Sequence, residues 1–311
     1  MIKVHKDLEH LPQFKNAVIT IGTFDGVHLG HQQIIKQLKE EAAEINGDTV
    51  IITFHPHPRK IISGGKSNLH ILTTLDEKIE LLNNKGVNHL VVVPFNSSFS
   101  NQTAEEYIEN FLVKKFHPHT IIIGYDHRFG KGRLGDYHLL EDYGLKYNYK
   151  VKEIPEHVLN QVIISSTKVR EALLSSDVDK ANSLLGYPYF FEGTVIEGNK
   201  LGRTIGYPTA NIQIEDEEKL VPGNGVYAVE VNLNETEMFK GMMNIGTRPT
   251  VNGTKRTIEV NIFNFDRDIY GQTIRVYVKY YLRPEVKFNG LEELKQQLAQ
   301  DKIDSETKLN K

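Results

Sequence analysis

The chain has 311 residues, of which 39% are hydrophobic and none is cysteine, and its formal net charge is −3. That length accommodates two packed cores rather than one. The acidic balance excludes a nucleic-acid binder held by a basic face, and the lack of thiols excludes disulfides and thiolate metal sites.

Small phosphorylated ligands need only a few local donors, so the charge leaves them open. No apolar stretch approaches the roughly 18 residues needed to cross a bilayer. The start, MIKVHKDLEH, lacks the apolar core of a signal peptide. The expected setting is the cytoplasm, with no membrane and no nucleic-acid partner; assembly is left open, an oligomer included.

Short apolar runs recur along the first half: AVITIGTF (17–24), TVIITF (49–54), HLVVVPF (89–95) and HTIIIGY (119–125). They are continuous rather than alternating, which predicts strands buried on both faces of a parallel sheet. Helical stretches lie between them. Ile34, Ile35, Leu38, Ala42 and Ile45 repeat at helical spacing, and TTLDEKIELL and TAEEYIENFL open with capping boxes, Thr74 with Glu77 and Thr103 with Glu106. A fifth run, QVIISS (161–166), leads into the helix TKVREALLSS. This alternation predicts a doubly wound α/β domain.

After DVDKANSLLGYP (177–188) the pattern changes to alternating segments such as GVYAVEVNL, TIEVNIFNF and TIRVYVKYYL, which predict an antiparallel β-barrel. The helix LEELKQQLAQDK follows, with Asn289 as its expected cap and a disordered tail after it. All thirteen histidines precede residue 158. The expected boundaries are a first domain over 1–184, a link over 185–188, a second domain over 189–303 and a tail over 304–311.

The first run feeds GTFDGVHLGH (22–31). Gly22, Gly26 and Gly30 permit tight turning and close backbone approach, and the helix that follows offers unpaired N–H groups to an anion. His28 and His31, three apart, share one face of its first turn. Phosphate chemistry fits this pattern. On spacing alone, so do a zinc pair, a structural histidine and a plain turn, although no H-E-x-x-H or cysteine supports zinc.

HLGH resembles the HxGH element of the nucleotidyltransferase superfamily, and GTFDGVHLGH is similar to the version in prokaryotic bifunctional riboflavin kinase/FAD synthetases. TFHPHP (53–58), GYDHRFG (124–130) and ISSTKVR (164–170) agree. The last places Ser165, Ser166 and Thr167 at a strand-to-helix turn with Arg170 one turn in, hydroxyls and a guanidinium suited to polyphosphate. The resemblance implies an FMN adenylyltransferase domain with His28, His31 and Arg170 as catalytic groups. Phosphate and nucleotide contacts are then expected from Gly22, Phe24, Asp25, Gly26, Gly30, His57, Asp126, Ser165, Ser166 and Thr167. His127 stands where the family usually has Phe, and is read as a wall residue. GKGRLG (130–135) matches a dinucleotide fingerprint by chance, because it does not open a helix at the first strand–helix turn.

The β half contains GTVIEGNKLGRTIGYPTANI (193–212). Its glycines suggest a close-fitting loop. Thr209 and Asn211 alternate, so both point one way in an extended segment and form a hard-oxygen pair suited to Mg²⁺ with phosphates. On spacing alone, a hairpin whose Thr and Asn bond the turn backbone fits better.

GRTIGYPTAN resembles the riboflavin kinase loop, as do PGNGVY (222–227), NIGTRPT (244–250), IEVNIFNFDRDIYG (258–271) and LRPEVKF (282–288). Val251 stands where relatives often carry Phe. The resemblance implies that this domain phosphorylates riboflavin to FMN. Gly198, Gly202, Thr209 and Asn211 would hold Mg²⁺–ATP, Glu259 would be the catalytic glutamate and Arg283 would contact the flavin. The other domain would convert FMN and ATP to FAD and pyrophosphate. The alternatives are an HxGH adenylyltransferase with one activity on another small phosphorylated substrate, and a flavin-binding sensor.

Overall fold

A computed structural model of the chain describes residues 1–64, 69–154, 164–198, 201–234, 236–250 and 253–311. The chain divides into two compact units, Met1–Ser166 and Thr167–Lys311.

The first unit is built on six parallel strands: β1 (Lys3–His5), β2 (Val18–Ile21), β3 (Thr49–His55), β4 (His89–Pro94), β5 (Thr120–Gly124) and β6 (Lys150–Ile154), in the order β1-β4-β3-β2-β5-β6. The continuous apolar runs are explained by two cores, one on each face. Ile19, Ile21, Ile52, Val91 and Ile121 pack against Ile108, Phe111 and Phe116 of the helical stretch 104–116. Val18, Ile51, Leu90 and Ile122, pointing the other way, pack against Ile35, Leu38 and Ala42 of the helix Leu29–Glu44 and Leu82 of the helix Leu75–Asn84. Each apolar side chain in such a strand faces a core, so no polar position interrupts the run.

Both capping boxes form: Thr74 accepts from Glu77 N–H while Glu77 accepts from Thr74 N–H, and Thr103 and Glu106 do the same. The helix after Thr103 departs from α geometry over Tyr107–Val113, which is π-helical. The sheet has two strands that the apolar runs did not mark, β1 and β6, both at its edges. The fifth run falls partly on residues 161–163, outside the described residues. Its remainder is not a strand, since Ile164 and Ser165 precede the helix Ser166–Leu174.

The second unit is a closed barrel of β7 (Tyr189–Ile196), β8 (Ala210–Gln213), β9 (Gly225–Leu233), β10 (Glu237–Thr250), β11 (Gly253–Ile262) and β12 (Thr273–Arg283), ordered β10-β11-β8-β7-β12-β9. Every neighbouring pair is antiparallel. The terminal helix spans Leu291–Leu309 and packs on β9, β10 and β12. It begins from Gly290 rather than Asn289, whose backbone N–H instead donates to Glu293 at 2.9 Å. Residues 304–309, expected to be disordered, continue this helix, because Ser305 is fully buried and donates to the Asp301 carbonyl. Among the described residues no helix is long and apolar enough to cross a membrane.

Candidate active sites

In the first unit the sheet order reverses beside β2: the chain moves to β3 and β4 on one side and later to β5 and β6 on the other. Ligands of open α/β sheets gather at the carboxyl ends of the strands at such a point. The carboxyl end of β2 runs into GTFDGVHLGH, that of β3 into His57, and that of β5 into Asp126.

The loop after β2 is held in an uncommon backbone shape. Phe24 (φ 47°), Gly26 (φ 80°) and Val27 (φ 36°) all adopt left-handed conformations. Such conformations are costly for Phe and Val and persist only where surroundings over-determine them. The surroundings do so here. Asp25 Oδ1 accepts from Leu72 N–H at 2.9 Å and Thr73 N–H at 3.1 Å, and Gly26 N–H donates to Thr73 Oγ1 at 3.1 Å. Ser166 Oγ donates to the Asp25 carbonyl at 2.9 Å, joining ISSTKVR to the same loop. Gly22 N–H donates to the Ile52 carbonyl.

His28 caps the helix Leu29–Glu44, its Nδ1 accepting from His31 N–H at 3.3 Å. The two imidazoles stack with centroids 3.7 Å apart, and the Phe24 ring lies tilted against that of His31, 4.8 Å between centroids. A side chain at Gly30 would place its Cβ 3.2 Å from the His28 ring, so only glycine leaves this stack undisturbed. Burial, then the charges of His28 and Lys78, hold the His31 pKa well below its ordinary value. His31 is therefore a neutral imidazole at physiological pH.

His57 caps the short helix Pro58–Ile62 through Nδ1, and Asp126 is exposed in the turn after β5. His127 is buried enough that its pKa falls to about 4, and it stacks on Phe129 at 5.9 Å. GKGRLG forms a 3₁₀ turn at Lys131–Arg133 and opens no helix at the first strand. Ser165 precedes the helix Ser166–Leu174. Thr167, exposed, and Arg170, only 8% exposed, belong to the second unit.

In the barrel, β8 pairs with β11 so that Asn211 stands opposite Glu259. Thr209, at the entry to β8, donates from Oγ1 to Glu259 Oε2 at 3.5 Å. Nothing in the motif spacing singles out Asn261, two residues on. It donates to the Pro208 carbonyl at 2.6 Å and so fixes the backbone just before Thr209. Gly198 lies against the Asn211 amide, so a Cβ there, 2.1 Å from Asn211 Nδ2, would push that side chain aside. Gly202 lies in the short helix Leu201–Thr204.

A cavity of about 480 Å³ opens at this end, lined by Arg203, Thr209, Asp266, Arg267, Asp268 and Tyr270 among others. Thus FNFDRDIYG and YPTAN meet at one pocket. Arg267 stacks over Phe239 and Phe265 and pairs with Glu237 at 3.1 Å, which stiffens one wall. Arg283 is committed elsewhere: it forms a two-pronged pair with Asp301 at 2.7 and 2.6 Å and donates to the Pro284 carbonyl. Asp301 is 1% exposed, so this pair fastens β12 to the terminal helix. The side chain of Val251 lies outside the described residues.

Two family models match the chain, FAD synthetase over residues 11–168 and riboflavin kinase over residues 185–309. Bifunctional riboflavin kinase/FMN adenylyltransferases are similar over nearly the whole length. The Haemophilus influenzae protein is 39% identical, with 92% of each chain covered, and the Escherichia coli K12 protein is 38% identical, with 97% and 96% covered. The chain belongs to this bifunctional family. It phosphorylates riboflavin to FMN with ATP, then joins FMN and ATP into FAD with release of pyrophosphate. Both domains are present, which sets aside the one-activity adenylyltransferase and the sensor. A solved Streptococcus pneumoniae structure described as a macrolide-efflux protein has a TM-score of 0.90 at 31% identity, covering 98% of both chains. That description is of that protein; the likeness carried here is the two-part architecture.

Proposed function

We propose that the two reactions use the two polar constellations separately, adenylylation over 1–184 and phosphorylation over 189–303, in a cytoplasmic enzyme. What supports this is that each constellation has its own unit: the His28–His31 stack at a helix N-terminus in one, the Thr209–Asn211–Glu259 set in the other.

In the barrel, Glu259 orients the terminal ribityl hydroxyl and takes its proton. An alcohol is far too weak an acid to ionise first, so positioning and charge neutralisation dominate and the proton moves late. The Thr209 hydroxyl and the Asn211 amide oxygen are hard oxygen donors, a pair that fits Mg²⁺. Bound there, Mg²⁺ supplies positive charge to the ATP phosphates. Gly198 and Gly202 leave room for the phosphates beside Asn211 and Thr209.

In the first unit the FMN phosphate is already an anion and needs no base. The difficulty is bringing negative groups into line and stabilising the leaving pyrophosphate. His28, His31 and the helix N-terminus donate to that charge, with Gly22, Phe24, Asp25, Gly26 and Gly30 shaping the cradle. His57, Asp126, Ser165 and Ser166 complete the nucleotide contacts.

Incubation with riboflavin, ATP and Mg²⁺, with products separated by chromatography over time, should show FMN rising first and FAD following. Chelating the metal should abolish both products. Continued FMN formation in chelator would remove Mg²⁺ from the barrel site. Gly198→Ala, which displaces the Asn211 amide, should raise the KM for ATP in FMN formation by about tenfold. Its melting temperature should hardly change, because the displaced group is the end of a flexible side chain.

A further inference from the structure

Four polar side chains share one face where β8 meets β11. Glu259 pairs with Asn211 and Val260 with Ala210, and there the ladder stops. Side chains alternate along a strand, so Asn261 points to the same side as Glu259, and Thr209 to the same side as Asn211. Asn261, only 7% exposed, is the fourth member of the set.

The ladder stops short of Pro208, which has no N–H, so only its carbonyl can anchor its backbone. That carbonyl accepts from Asn261 Nδ2 at 2.6 Å. A peptide unit is planar, so a bond to the Pro208 oxygen also orients the nitrogen and Cα of Thr209. Before the proline, Tyr207 N–H donates to the Gly202 carbonyl at 2.8 Å. The Thr209 side chain reaches Glu259 Oε2 only at 3.5 Å, a weak hold. Asn261 is itself fixed. It stands opposite Met242 in the β10–β11 ladder, and Gly241 packs so closely that a Cβ there would lie 2.7 Å from the Asn261 carbonyl oxygen.

We propose that Asn261 is a positioning residue for phosphorylation. It acts through the Pro208–Thr209 peptide, holding the Thr209 hydroxyl beside Asn211 in the orientation offered to Mg²⁺–ATP. This rests on the reading of Thr209 and Asn211 as the pair that holds Mg²⁺–ATP.

The test compares the full-length parent with Asn261→Leu, which keeps the shape of the side chain and removes its N–H. With riboflavin as substrate, the variant should raise the KM for ATP about tenfold, while kcat and the KM for riboflavin stay within about twofold. Conversion of supplied FMN to FAD should not change. A bond serving stability alone would lower the melting temperature without this split. Threonine-methyl spectra read the same point without turnover. The Thr209 signal, assigned by its loss in Thr209→Ser, should move in the ligand-free variant while those of Thr194 and Thr273 stay in place. A folded variant with the parent KM for ATP, or with an unmoved Thr209 signal, overturns the proposal. If Asn261→Leu does not fold, Asn261→Asp, of the same size and without an N–H, takes its place. In the parent, the Asn261 side-chain N–H groups should exchange slowly with water, and rapid exchange there overturns the proposal with no variant at all. By contrast, an unchanged KM for ATP in Thr209→Val would sink the Mg²⁺–ATP reading, whatever the spectra say of Asn261.

Discussion

Glu259→Gln lowers the rate of FMN formation by about a thousandfold and leaves conversion of supplied FMN to FAD within about twofold of the parent. Glutamine keeps the size of the side chain and its reach toward Thr209, but it cannot accept a proton. Glu259 stands on β11 opposite Asn211, half-buried, and its backbone is held by the ladder on both sides. The substitution therefore alters one carboxylate without disturbing the barrel. The 3.5 Å separation from Thr209 is long for a hydrogen bond, as is common before substrate tightens a site. Steady-state rates for each half-reaction, measured on the same preparation, decide the matter. A loss of only a few-fold would make Glu259 an orienting group, and loss of both activities in a folded protein would end the division of labour.

The sequence revealed most where one physical demand dominates. β2 to β5 were legible because burial on both faces leaves a run of apolar residues with no interruption. β6, KVKEI, was not. It lies at the sheet edge with three of its five residues exposed, so its composition resembles a loop. β1 is only three residues long, too short to carry a pattern. The last turns of the terminal helix were missed because DSETKL reads as solvated, whereas its Ser305 lies against the barrel side of the helix, fully buried.

The candidate sites follow the same logic. The glycines and histidines of GTFDGVHLGH are distinctive residue types at a distinctive spacing. Arg283 is the reverse case: a motif drew attention to it, and the fold spends its guanidinium on Asp301. The loop strain at Phe24 and Val27 left no trace in the sequence either, because both are ordinary apolar residues whose left-handed backbone is imposed by the Thr73 and Ser166 contacts.

His28→Ala with His31→Ala stops the enzyme at FMN. FAD formation falls by at least about a thousandfold, since each donor to developing phosphate charge is worth about a hundred- to a thousandfold and the two act as a unit. FMN formation continues at the parent rate. The double substitution also removes a helix cap and a ring stack, which costs about 1 kcal/mol for the cap alone, so a drop in melting temperature is expected as well. His28→Ser separates the two effects. Serine is a good cap but offers only a short hydroxyl, so it should recover the melting temperature and not the rate. If His28→Ser restored FAD formation along with stability, His28 would serve the helix alone, and the charge at the leaving pyrophosphate would have to be met by His31 and the helix N–H groups.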